Sequence, residues 1–74
     1  MSTASIRGPY AVRLDDVGGG VTYIGEAIPG TALSAATWRI KRMTEVDPDL
    51  TIEWADGNHA FDNVWNNRAS LSYS

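Results

Sequence analysis

Two runs of alternating apolar and polar residues constrain the fold of this chain most strongly. The first covers residues 37–46, the second covers residues 50–55, and the polar residues 47–49 join them. A period of two is typical of strands with one buried face, and a short polar connection between two such runs predicts a β-hairpin. Trp38 and Trp54 are therefore expected on the same side of this hairpin, facing the core.

The other side of the predicted hairpin is polar. It is expected to carry Arg39 and Lys41 on the first run, and Thr51 and Glu53 on the second. Oppositely charged side chains on neighbouring strands attract each other, which contributes roughly 0.2–1 kcal/mol per pair. Ion pairs from Arg39 or Lys41 to Glu53 are therefore expected across the hairpin.

Three shorter segments complete a mainly β prediction. Residues 10–14 alternate, residues 21–27 are rich in β-branched and aromatic side chains, and residues 69–73 alternate again. One helical turn is expected between Phe61 and Arg68. The predicted fold is a small antiparallel sheet or sandwich of four to five strands with at most one short helical turn.

Glycine and proline mark the connections between these segments. The triple glycine at 18–20 predicts a turn, and Pro29-Gly30 predicts another. Gly25, inside a predicted strand, suggests a bulge or the close approach of another backbone. Residues 1–20 are interpreted as a flexible N-terminal arm with one possible strand, and residues 21–74 as a small β domain.

The length of the chain limits how stable a single copy can be. A chain of 74 residues buries only about 60% of the surface that it exposes when unfolded. Disulfides, a structural metal or association with other chains stabilise domains of this size. The chain has no cysteine and a single histidine, His59, so a disulfide is excluded and a zinc site is not expected. Association with other chains is therefore expected to stabilise the domain.

Charge and composition argue against several classes of partner. Nine acidic and six basic residues give a net charge of −3, which does not favour binding to nucleic acid or to an anionic membrane. No apolar run reaches the roughly 18 residues of a membrane span. Residues 1–5 lack the basic start of a signal peptide, and the protein is expected to be made and kept in a cytoplasm.

No group of residues predicts catalysis. Asp56, Asn58, His59 and Asp62 crowd together, but their spacing lacks the glutamate that closes a calcium loop, and turn formation explains them better than a metal. One histidine in a polar loop, without a nucleophile elbow, gives no catalytic triad. We therefore expect no catalytic residues, no metal, no cofactor and no enzymatic activity.

A cluster of basic residues leaves an alternative open. Arg39, Lys41 and Arg42 lie beside Trp38, a mixture that proteins binding single-stranded nucleic acid use for phosphate and base contacts. A solvated strand face or a subunit interface is favoured, because the domain as a whole is acidic. A small nucleic-acid-binding or regulatory module that uses this basic strand face remains the second hypothesis.

The C-terminal two thirds of the chain contain five notable sequence blocks in a fixed order. They are YIGEA at 23–27, PGT at 29–31, WRIKR at 38–42, WADG at 54–57, and Phe61 followed by WNNRASLSY at 65–73. Together, and more specifically than any block alone, they resemble small structural proteins or modules of tailed bacteriophage virions.

This resemblance implies a neck, tail or fibre component or a capsid decoration protein, synthesised in the host cytoplasm and incorporated into the virion. Its implied partners are copies of itself in a symmetric homo-oligomer and other virion structural proteins. It implies no catalytic residue. If assembly is the function, Trp65 and Tyr73 are the expected interface anchors, with Arg68 as a charged partner, because buried aromatic residues dominate interface energetics.

Overall fold

Residues 9–74, which the computed structural model describes, form one antiparallel sheet followed by one short 3-10 helix. The strand order is β1-β2-β3-β4, so every strand pairs with its neighbour in sequence. This confirms the mainly β prediction, with four strands and one short helical turn. The elements are β1 (Ala11–Gly18), β2 (Val21–Ala27), β3 (Arg39–Val46), β4 (Asp49–Trp54) and the 3-10 helix (Trp65–Ser70).

The strand predicted at residues 10–14 is present and is longer than expected. It runs from Ala11 to Gly18 and pairs with β2 as part of the same sheet. The predicted flexible arm begins with residues 1–8, which lie outside the described residues, and the domain boundary at residue 20 stays a prediction. The triple glycine forms the turn to β2 with φ values of 84°, 64° and 82° at Gly18, Gly19 and Gly20, a region that glycine adopts without steric cost.

The register assigns the sheet residues to two faces, because residues paired across strands lie on the same side. Gly25 pairs with Ile40, and the Ala55 N–H donates to the Ile40 carbonyl. This side lies under the 3-10 helix and is called the covered face. It carries the core, which consists of Ala27, Trp38, Ile40, Ala55 and Trp65.

Two tryptophans close the core over a strand glycine. The rings of Trp38 and Trp65 lie 5.9 Å apart at a tilt of 40°. A Cβ atom at Gly25 would lie 2.5 Å from Cε3 of Trp65 and 3.2 Å from Cε3 of Trp38. The bulge or backbone approach predicted at Gly25 is therefore wrong: the strand register is regular there, and an indole ring occupies the space that a side chain would fill.

Backbone hydrogen bonds fix both ends of the segment that carries Trp65. Before the 3-10 helix, Asn63 and Trp38 exchange N–H···O=C bonds of 2.8 and 3.0 Å. After it, Trp54 and Ser74 exchange bonds of 3.0 and 3.1 Å. The strand predicted at 69–73 is thus reduced to an isolated bridge between Ala55 and Tyr73, at the end of β4.

The hairpin is present, but the predicted placement of Trp54 in the core is wrong. Val46 pairs with Asp49, so the turn holds two residues and not three, and Trp54 pairs with Lys41. A shift of one residue moves every side chain of a strand to the opposite face. Trp38 is 2% exposed in the core, as predicted, whereas Trp54 lies on the other side of the sheet.

The same shift changes the ion pairs. Glu53 pairs with Arg42 on the covered face, at 2.8 Å, and not with Arg39 or Lys41 as predicted. Arg39 instead contacts Glu26 of β2, also at 2.8 Å.

Replacing Gly25 with alanine tests the fit of the tryptophan against the sheet. The added methyl would overlap the Trp65 ring, and overpacking of this kind costs about 3 kcal/mol. Gly19→Ala is the matched control, because no atom lies within 4 Å of its Cβ position and only its φ of 64° opposes alanine, at about 1 kcal/mol. Urea unfolding followed by tryptophan fluorescence measures both, and equal losses would contradict this account of the core.

Candidate functional site

The side of the sheet opposite Trp65 has no layer of described residues over most of its area, and we call it the open face. The register places Leu14 beside Ile24 and Met43 beside Ile52, so its apolar side chains adjoin one another across the strands. The principal extents of the molecule are 37, 31 and 19 Å. The open face is therefore one of the two broad sides of a thin body.

The apolar residues of the open face are strongly exposed. Leu14 is 69% exposed, Leu50 62%, Val12 56% and Ile52 53%. Single exposed apolar residues are ordinary on protein surfaces, but a contiguous group on one flat side is typical of an interaction site. This group is the candidate functional site.

A cation held among aromatic rings forms one end of the open face. The Arg39 guanidinium lies 4.4 Å from the Phe61 ring centroid, 5.4 Å from that of Tyr10 and 5.7 Å from that of Trp54. Its Nε donates a 3.0 Å hydrogen bond to Glu26. The ion pair and the rings hold Arg39 from several sides, which makes this end of the face preorganised.

Beside this aromatic end is a hollow of about 400 Å³, lined by Tyr10, Ile28, Thr31, Thr37 and Phe61. Its walls are mainly apolar, with two threonine hydroxyl groups. A lining of this composition suits an apolar side chain better than a charged group.

Charge changes sign along the open face. Lys41 lies near the aromatic end, with Nζ 5.0 Å from the Trp54 ring centroid. Two strand positions further along β3 comes Met43, and two further comes Glu45, which is exposed. Asp16 lies on β1 at the level of Met43, through its pairing with Thr22. Within residues 9–74, Lys41, Asp16 and Glu45 are in none of the ion pairs.

The predicted interface residues all lie on the covered face. Trp65 is 3% exposed in the core. Arg68 donates to Asp15 at 2.9 Å and lies 4.6 Å from the Trp65 ring. The Tyr73 hydroxyl donates to the Arg68 carbonyl at 2.7 Å. The structure gives each of these residues an intramolecular contact, and their role in an interface stays a prediction.

Burial and a neighbouring phenol alter the acidity of Tyr73. The pKa of its phenol is raised from 10 to about 12, first by burial and then by Tyr23, whose ring lies 5.8 Å away. The Arg42 guanidinium, 4.7 Å from the Tyr73 ring centroid, acts in the opposite direction.

The three basic residues of the alternative hypothesis do not share one strand face. Arg39 and Lys41 lie on the open face, but Arg42 lies on the covered face, where it contacts Glu53 and Tyr73. Two of the three cations are neutralised by glutamates. The prediction that these three residues share one strand face is therefore wrong, and the nucleic-acid function stays a prediction.

The polar residues after β4 form a turn. Asp56 has a φ of 59°, and the Asn58 side chain accepts from the Ala60 N–H at 2.9 Å. His59 lies edge-on to Trp54, with 6.1 Å between the ring centroids.

In the part of the chain that the structure describes, no three acidic or histidine side chains are grouped closely enough to hold a metal. Residues 9–74 also contain no helix with the length and apolar character needed to span a membrane.

Sequence reasoning detected the residues of the candidate site but assigned them to the wrong environment. The alternation at 10–14 placed Val12 and Leu14 on one side of a strand, and that side was expected to be buried. The same was expected of Leu50 and Ile52. Alternation indicates that one side of a strand is apolar, and it does not tell whether the chain itself or another molecule covers that side.

Alkaline unfolding tests the environment of Tyr73. Because the folded-state pKa is above the unfolded value of 10, the favourable effect of the neutral phenol is complete below pH 10 and is lost as pH rises towards 12. The wild type should therefore lose stability across this range more steeply than Tyr73→Phe, which has no ionisable hydroxyl. Urea midpoints at several pH values measure the two slopes, and parallel slopes would refute the assignment.

No protein-family model, no curated protein and no solved structure matches the chain.

Proposed function

We propose that this chain is a non-enzymatic structural component of a bacteriophage virion that assembles through the open face of its sheet. The observation that carries the proposal is the apolar group on that face, which is strongly exposed on the two edge strands, with Leu14 at 69% and Ile52 at 53% exposure, and half-buried between them at Ile24 and Met43. A soluble domain that remained alone would expose this surface to water at a free-energy cost. Covering it in an assembly removes that cost.

Described residues cover one face of the sheet and leave most of the other uncovered, and this difference supports assembly. The covered face is occupied by the chain's own C-terminal segment, which is fixed by backbone bonds at Asn63 and Ser74. In a sheet with one covered face, the other face is normally polar. Here Ile24, Met43 and Ile52 form an apolar centre, which favours a second layer supplied by another chain.

The virion assignment comes from the resemblance of the five sequence blocks, and three of these blocks share a physical role in the fold. WRIKR contributes Trp38 and Ile40 to the core, and the last block contributes Trp65 to the core and Tyr73 against it. YIGEA contributes Gly25, on which Trp65 lies. The blocks that carry the resemblance therefore include residues that hold the covered face together.

Replacing two residues of the open face tests the proposal in a phage that encodes this chain. Leu14→Thr combined with Ile52→Thr replaces two apolar side chains, each worth roughly 1.5–3 kcal/mol when fully buried, with a more polar residue whose β-branched side chain suits a strand. We expect the double variant to fold but to lower the yield of infectious particles at least tenfold in a complementation assay. Mass spectrometry of gradient-purified particles should find the wild-type chain in them.

Val46→Thr is the matched control, because Val46 is 70% exposed and its register places it on the opposite side from Ile52. It should complement as well as the wild type. Circular dichroism and thermal unfolding verify that the variants are folded. Absence of the chain from purified particles, or full complementation by the folded double variant, would refute the proposal.

A further inference from the structure

We infer that the open face binds the open face of a second copy of this chain, with the two copies of β3 running in opposite directions. The inference rests on the proposed function, since it names the partner of the surface through which that function acts. Such a pair would be a β-sandwich in which each chain contributes one sheet.

The open face has the chemistry of a sheet-on-sheet interface. Stacked sheets lie about 10 Å apart and bury apolar side chains from both inner faces. Here a row of apolar side chains crosses all four strands, from Leu14 on β1 through Ile24 and Met43 to Ile52 on β4. A second sheet with the same row could cover it.

The order of charges on β3 favours a second copy of this chain as the partner. It also favours an antiparallel arrangement of the two β3 strands. Lys41, Met43 and Glu45 follow one another on the open face. At about 3.4 Å per residue, Lys41 and Glu45 of one chain are about 14 Å apart, too far for an ion pair between them. A two-fold axis through Met43 and perpendicular to the strands brings Lys41 of each copy opposite Glu45 of the other. Parallel copies of β3 would instead oppose like charges.

The other charges of the face are compatible with this arrangement. Arg39 is already neutralised by Glu26 at 2.8 Å. Asp16 lies on the edge strand β1 at the level of Met43, so the same axis also brings the two Asp16 carboxylates towards each other. Asp16 is exposed at the rim of the face, where water and salt screen this repulsion, whereas the Lys41 and Glu45 pairs lie on the inner strand β3.

Exchange of the two charges tests the pairing. Lys41→Glu and Glu45→Lys each place two like-charged pairs in a homodimer, and each should weaken self-association at least tenfold. An equimolar mixture of the two variants forms heterodimers in which both pairs are again attractive, so it should recover the affinity of the wild type. Sedimentation equilibrium on the full chain measures all four samples.

Thermal unfolding of each variant at a concentration where it is monomeric controls for damage to the fold, because Lys41 also contacts Trp54. If the wild-type chain is a monomer at millimolar concentration, the inference is overturned. The open face would then be covered by residues 1–8 or by an unrelated protein, and not by a second copy. A dimer that is insensitive to both single variants, or a mixture that recovers nothing, overturns it as well.

The outcomes separate this inference from the proposed function. A chain that is monomeric when purified, but requires Leu14 and Ile52 to enter particles, overturns the pairing and leaves the virion proposal standing. A dimer that responds to charge exchange, in a chain that is absent from particles, supports the pairing and removes the virion proposal.

Discussion

The contact between the Trp65 ring and the backbone of Gly25 is the interaction on which the rest of the structure depends. The ring occupies the space that a Cβ atom would fill, and it lies against Trp38 in a core of only five fully buried apolar residues. This contact holds the C-terminal segment against the sheet. Arg68 and Tyr73 then reach Asp15 and Tyr23 across the covered face, so one contact organises a whole layer.

The small core has a direct consequence for the other face. Residues 9–74 supply one sheet and one irregular covering segment, and from Asn63 to Ser74 that segment lies on the side of Trp65. Short chains bury a small share of their surface for this reason. The open face thus retains apolar side chains that, in a larger protein, a second layer of the same chain would cover.

The elements of this fold followed from local signals, but the assignment of faces did not. Alternation, triple glycine and the turn at residue 47 located three strands and their connections, because a strand that is apolar on one side has a period of two whatever its environment. The turn of β3 and β4 has two residues between Val46 and Asp49. The prediction used three, and this single difference moved Trp54 to the open face and Glu53 to the covered face.

By itself, the sequence determined the fold class, the strands and the core position of Trp38. The tertiary structure alone decided that Trp65 belongs to the core and that Leu14 and Ile52 face solvent. The reason is physical: strand formation depends on the residues of the strand, whereas burial depends on which distant segment arrives to cover it. Trp65 reaches Gly25 from forty residues further along the chain, and no local pattern records that contact.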